Sequence, residues 1–237
     1  MPDATAKSVF WTGFRDGSPF IVVVAPFGLL FGVVSIDSGL NFIETLAMTF
    51  LVVAGASQFT ALSLLKEQAP TFIVILTALA VNLRMAMYSA ALVPHLGQAR
   101  LGLRAVLAYF MVDQAFAVAF NKYEQAPDMP LWHKVVYYFG SVIPIVALWF
   151  TFSITGALIG RAIPPEFSLD FAIPICFIAL VAPALRSAAH FVAASVSILA
   201  ALALAWVPYS LGLIVAAALA MMAGAETERR LTLRKMS

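Results

Sequence analysis

Apolar residues gather into eight runs separated by short polar breaks: 19–36, 43–65, 71–93, 103–121, 134–158, 168–186, 189–205 and 207–224. An α-helix needs about 20 such residues to cross ~30 Å of hydrocarbon, and each run comes near or exceeds that length. The breaks at Arg186 to His190 and Trp206 to Pro208 leave little room for a loop, so the pattern predicts seven or eight spans. The expected fold is an all-α integral membrane protein, a polytopic bundle of about 7–8 transmembrane helices. A single transmembrane domain, 19–224, lies between a cytoplasmic N-terminal segment, 1–18, and a basic cytoplasmic tail, 225–237.

Composition strengthens this picture. The 237 residues are 62% hydrophobic and 11% charged, against about 25% charged in a soluble domain. A net charge of +2 gives no reason to expect a nucleic-acid partner. The one dense basic cluster, Arg229, Arg230, Arg234 and Lys235, follows an apolar run and is interleaved with Glu226 and Glu228. It reads as a solvated tail at an anionic lipid surface. Cys176 is alone, so no intrachain disulfide forms, which fits a bacterial inner membrane. Pro19 to Ser35 ends without a small-x-small cleavage pattern and reads as a permanent first span.

Lys and Arg in the connecting segments give an orientation. With eight spans and both ends inside, the inside holds Lys7, Arg15, Lys66, Lys122, Lys134, Arg186 and the four tail cations, ten in all. Arg100, Arg104 and Arg161 fall outside. A re-entrant segment ahead of Arg100 would bring that loop inside as well. An internal repeat with broken helices is also suggested. Gly28–Leu29–Leu30–Phe31–Gly32 matches Gly156–Ala157–Leu158–Ile159–Gly160 at an offset of 128, where Val53–Ala54–Gly55–Ala56 also meets Val181–Ala182–Pro183–Ala184. Transporters built from repeats place broken helices in corresponding positions and bind substrate between them, whereas the small-residue spacing alone implies only close packing.

Polar groups inside these runs need partners, and charged ones need a reason. Gly55 and Ala56 permit a break in the second run, where freed carbonyls beside Ser57 and Gln58 would form a polar lining; a helix interface with two interhelical hydrogen bonds is the other reading. In the third run Asn82 precedes Arg84, which lies ten residues before Pro94, or about 15 Å along a helix. Asp113, followed by Gln114, lies ten residues beyond Leu103, at about the same depth. Arg84 and Asp113 form either a buried pair that locks two helices or a site in which Arg84 faces a carboxylate and Asp113 handles a proton or an amino group. Ser57 and Asn82 reach similar depths from the loop at Lys66 to Pro70, about 14 and 18 Å, so all three places converge on one level. His95, His133 and His190 show no metal-ligand spacing. Ser57 has no histidine placed as its base, so no catalytic residues and no cofactor are expected.

In this order and spacing, Gly28-x-x-x-Gly32, Ala54–Gly55–Ala56–Ser57–Gln58–Phe59, Asn82-x-Arg84 and Asp113–Gln114–Ala115–Phe116 resemble the AzlC family, the large subunits of bacterial branched-chain amino acid exporters. The resemblance covers about residues 15 to 225. It departs at Gln114, where the family tends to carry an acid. It implies a membrane transporter subunit exporting Leu, Ile, Val and similar amino acids, with a small AzlD-type membrane protein as partner. The residues themselves imply less: a bundle whose polar centre could hold a zwitterion with an apolar side chain. No phosphate-cradling motif is present, so secondary transport without ATP is expected. The alternative is a non-transporting scaffold subunit clamped by Arg84 and Asp113.

Overall fold

In a computed structural model, residues 5–160, 162, 178, 185, 187–207 and 211–236 are described, and all the regular structure among them is helical. Arg161, Glu166, Asp170, Cys176, Val181–Ala184, Arg186 and Pro208 lie outside the described residues.

The chain opens on a rod. Helix α1 (Ala6–Gly17) passes through a single 3₁₀ turn into α2 (Ile21–Asp37). The helix thus starts well before the apolar run at residue 19. Gly39, with φ +91°, makes the turn that follows, and Asn41 with Glu44 forms a capping box that starts α3 (Phe42–Leu51). Residues 52–54 leave the helix, and α4 (Gly55–Lys66) begins. Helix α5 (Thr71–Leu96) starts at Pro70, α6 (Leu101–Tyr109) and α7 (Asp113–Gln125) are separated by residues 110–112, and α8 spans Leu131–Gly160. Helices α9 (Ala188–Ala203) and α10 (Leu211–Met236) pack on each other, with Gly224 facing Ala193. Helix α10 carries the chain through the basic tail, where Glu226 pairs with Arg229 and Arg230.

Three of these elements are long and apolar enough to cross a membrane: Ala6–Asp37, Thr71–Leu96 and Leu131–Gly160. The runs at 43–65 and 103–121 are each expected to form one long helix, and each is instead divided into two shorter ones, α3 with α4 and α6 with α7. Lys66, at the end of α4, pairs at 2.7 Å with Asp37, just before the start of α3. Helix α3 therefore enters from the end of the bundle to which α4 returns. Across the fold of that hairpin, Gln58 Nε2 donates to the Met48 carbonyl at 2.8 Å. The second pair repeats the arrangement from the opposite end. Its contacts with α5 advance together along both helices: Arg84 with Asp113, Tyr88 with Phe116, and His95 with Phe120 and Glu124. Helix α7 thus runs parallel to α5 and returns to the end where α6 began. Both stretches are re-entrant hairpins. A hairpin of two half-length helices has the same apolar length as one span, so hydropathy alone cannot separate them.

The rod α1–α2 and α8 run parallel, joined by a seam of small residues. Gly13 and Gly17 meet the backbone at Tyr137 and Ser141, Gly140 meets Phe10, Gly32 meets Ser153 and Ala157, and Gly156 meets Leu29. At these positions a Cβ would collide with backbone, so glycine is what permits the approach. The two glycine motifs matched at an offset of 128 are thus the two faces of one contact.

A different repeat orders the structure. Glu67–Gln68–Ala69–Pro70 recurs as Glu124–Gln125–Ala126–Pro127, 57 residues later. Phe31 against Phe59 is followed at the same offset by Tyr88 against Phe116. Asp37 with Lys66 is followed 58 residues later by His95 with Glu124. Each unit is a long helix and a hairpin, α2–α4 and then α5–α7, and the second unit is inverted relative to the first. Among the described residues from Thr5 to Gly160, Lys7, Arg15, Arg100, Arg104, Lys122 and Lys134 fall at the end where α1 begins, and Lys66 falls at the other.

Candidate functional site

The two hairpin tips meet in the middle of the bundle. The Tyr109 hydroxyl, at the end of α6, donates to the Phe50 carbonyl at the end of α3, 2.7 Å away. The last carbonyls of a helix lack intrahelical partners, and Tyr109 satisfies one of them across the two repeats. Ser57 Oγ donates to the Ala54 carbonyl at 2.9 Å. Together with the bond from Gln58 to Met48, this fixes the first tip from inside. On the far side of the second hairpin, the Tyr138 hydroxyl donates to the Leu107 carbonyl at 2.9 Å.

A cavity lies between the tips, offering about 50 Å³ to the centres of water-sized solutes. Val53, Ala54, Gly55 and Ala56 of the first tip line it, as do Val112, Asp113 and Gln114 of the second. Arg84 and Met85 of α5 close one side; Val24 and Phe27 of α2 and Ile145, Val146 and Trp149 of α8 close the other. Helices α4 and α7 both begin here, neither with a side-chain cap. Their first turns therefore present free N–H groups and the positive ends of two helix dipoles to the cavity.

Arg84 sits at the midpoint of α5, thirteen residues from Thr71 and twelve from Leu96. Its Nη2 lies 3.1 Å from Asp113 Oδ2. Asp113 opens α7, where the helix dipole favours a carboxylate. The pair is incomplete, because Arg84 Nε and Asp113 Oδ1 are both buried without a hydrogen-bond partner. Tyr88, one turn beyond Arg84, directs its hydroxyl at the same carboxylate and stacks on Phe116 with ring centroids 4.1 Å apart.

Of the residues expected at the site, the structure brings Gly55, Ala56, Arg84, Asp113 and Gln114 to the cavity wall. Ser57 and Gln58 are fully buried behind the wall, where they hold the turn instead of lining the cavity. Asn82 is not part of the cavity wall, and its Oδ1 is buried and unpaired. Sequence reasoning missed the aromatic wall. Phe27 and Trp149 lie 5.8 Å apart between ring centroids, and Phe31 stacks on Trp149 at 5.6 Å. A Cβ on Gly55 would stand 2.8 Å from the Phe27 ring and 3.1 Å from Trp149, so these rings close directly on the start of α4. Nothing distinguishes such aromatics from ordinary packing in an apolar run.

The family model described as AzlC protein matches residues 19–163, which include α2, α5 and α8, both hairpins and every cavity-lining residue. An uncharacterized membrane protein of Helicobacter pylori is similar, 28% identical over 165 residues, or 68% of each chain. Inner membrane protein YgaZ of Escherichia coli is 27% identical over 120 residues, 50% of this chain and 49% of that one. An uncharacterized membrane protein of Archaeoglobus fulgidus is 27% identical over 124 residues, 52% of this chain and 54% of its own. No solved structure matches.

Proposed function

This chain belongs to the AzlC family, and from that premise we propose that it is a secondary transporter subunit exporting branched-chain and similar apolar amino acids. It would act without ATP, in the cytoplasmic membrane of a bacterium, as a multi-pass protein with a small AzlD-type subunit as partner. One observation carries the reading: two inverted re-entrant hairpins meet at a cavity whose wall holds an incompletely satisfied Arg84–Asp113 pair. Inverted repeats with interrupted helices place substrate at their interface, and half-helix N-termini receive anionic groups. A zwitterion fits these walls. Its carboxylate meets Arg84 and the first turn of α4, its ammonium meets Asp113, and its side chain meets Val24, Phe27 and Ile145.

The distribution of cations supports an orientation with α1 starting in the cytoplasm, and the printed name of the Escherichia coli relative supports the inner membrane. The experiment is reconstitution in liposomes loaded with labelled leucine, with and without the small subunit. Leucine efflux that requires both subunits is expected, and no efflux from the pair overturns the proposal. A scaffold role is favoured by a single fact, the closed 3.1 Å pair. In that case the double substitution Arg84→Ala with Asp113→Ala folds and leaves leucine efflux at the parental rate.

A further inference from the structure

Among the described residues, eight side-chain nitrogen or oxygen atoms are buried without a hydrogen-bond partner. Native proteins leave few such atoms, and each costs free energy until something pairs with it. Three of the eight belong to cavity-lining residues: Arg84 Nε, Asp113 Oδ1 and Trp149 Nε1. They are chemically uneven. Arg84 Nε and the indole Nε1 can only donate, while a carboxylate oxygen accepts. Three residues that line one small cavity thus carry two unmet donors and one unmet acceptor, a set that complements a solute with one anionic and one cationic group.

We infer that the indole N–H of Trp149 is a substrate-binding group that donates to the amino acid's carboxylate alongside Arg84. The inference rests on the transport reading above and adds a residue from α8 to the site. Trp149 is 7% exposed, and its position is fixed by stacking on Phe31 and by contact with Phe27. Its six-membered ring reaches the start of α4, with Cη2 3.1 Å from the place of a Cβ on Gly55. Packing thus holds the ring at the point where the free amides of α4 also converge. By comparison, Trp206 is 79% exposed and already donates Nε1 to the Ala203 carbonyl at 3.0 Å.

Trp149→Phe keeps a flat aromatic ring and removes the N–H, so it separates packing from donation. Binding of labelled leucine and of isoamylamine, the same side chain without the carboxylate, is measured on the purified complex with its small subunit. The expected result is a fall of about tenfold or more in leucine affinity, the scale for a hydrogen bond to a charged group. Isoamylamine affinity and the melting temperature of the ligand-free complex should stay at parental values. Trp206→Phe should bind leucine as the parent does. Parental leucine affinity in Trp149→Phe overturns the inference while the transport reading stands. Equal losses for leucine and isoamylamine also overturn it and leave Trp149 a packing role. Absence of leucine binding by the parental complex overturns both readings.

Discussion

The two hairpins share a design and differ at their tips. In the second, α5 presents Arg84 to Asp113 at the start of α7. In the first, the positions 57 residues earlier are Phe27 and Ala56, and Phe27 closes on neighbouring Gly55. One inverted unit thus contributes a charged wall and the other an aromatic one. Their feet differ as well: Asp37–Lys66 closes the first, and His95–Glu124 closes the second, with the acid and the base exchanged between the long helix and the hairpin. A symmetric backbone carrying asymmetric chemistry orients an amphiphilic solute without any further element. Duplication supplies the cavity, and divergence of a few side chains supplies its polarity.

The broadest test concerns the inversion itself, where the outcome is all or none. In a Cys176→Ser background, single cysteines at Gly39 and Gln68 should react with a membrane-impermeant thiol reagent from one face, and those at Gln98 and Asp128 from the other. If 39 and 68 label from opposite faces, the first hairpin is a crossing helix and the comparison fails. Gly55→Leu comes next. With Phe27 and Trp149 already closed on Gly55, the added side chain should cut leucine export at least a hundredfold while membrane insertion, read by detergent extraction, stays normal. At the charged tip, Asp113→Asn keeps the shape and removes the titratable group. Export should persist at a reduced rate, with its dependence on pH flattened in a liposome assay across imposed gradients. Arg84→Lys keeps the charge and loses the planar fork, so KM for leucine should rise about tenfold with little change in melting temperature. The smallest effect belongs to the feet. Lys66→Gln removes a pair whose side chains are about one-third exposed, which should lower stability by at most about 1 kcal/mol.

The sequence revealed its centre better than its path. Arg84 and Asp113 stood out because a charge inside an apolar run demands an explanation, and Gly55 because it interrupts one. Ser57 and Gln58 lie at the tip, where their polarity serves the Ala54 and Met48 carbonyls freed by the turn, the second of the two readings their sequence context allows. The hairpins stayed hidden because two half-length helices sum to one hydrophobic length. The repeated Glu–Gln–Ala–Pro at 67–70 and 124–127 was the available signal. It lies in the connecting segments, outside the apolar matches that suggested an offset of 128. Phe27 and Trp149 gave no signal, because an aromatic in an apolar run is read first as core.

The glycine seam between the first rod and α8 also bears on how the chain is made. Gly13 meets Tyr137, 124 residues later, and Gly32 meets Ala157, 125 residues later. At a synthesis rate of about 5–20 residues per second, the rod waits roughly 6–25 s for the surface that covers it. By the end of that interval both hairpins have been made, but the helix against which their tips close has only begun. The order of translation therefore builds both hairpins of the cavity before the helix that covers the glycine seam, so truncation or stalling before residue 131 leaves a nascent protein with its groove of bare backbone open to other helices in the membrane.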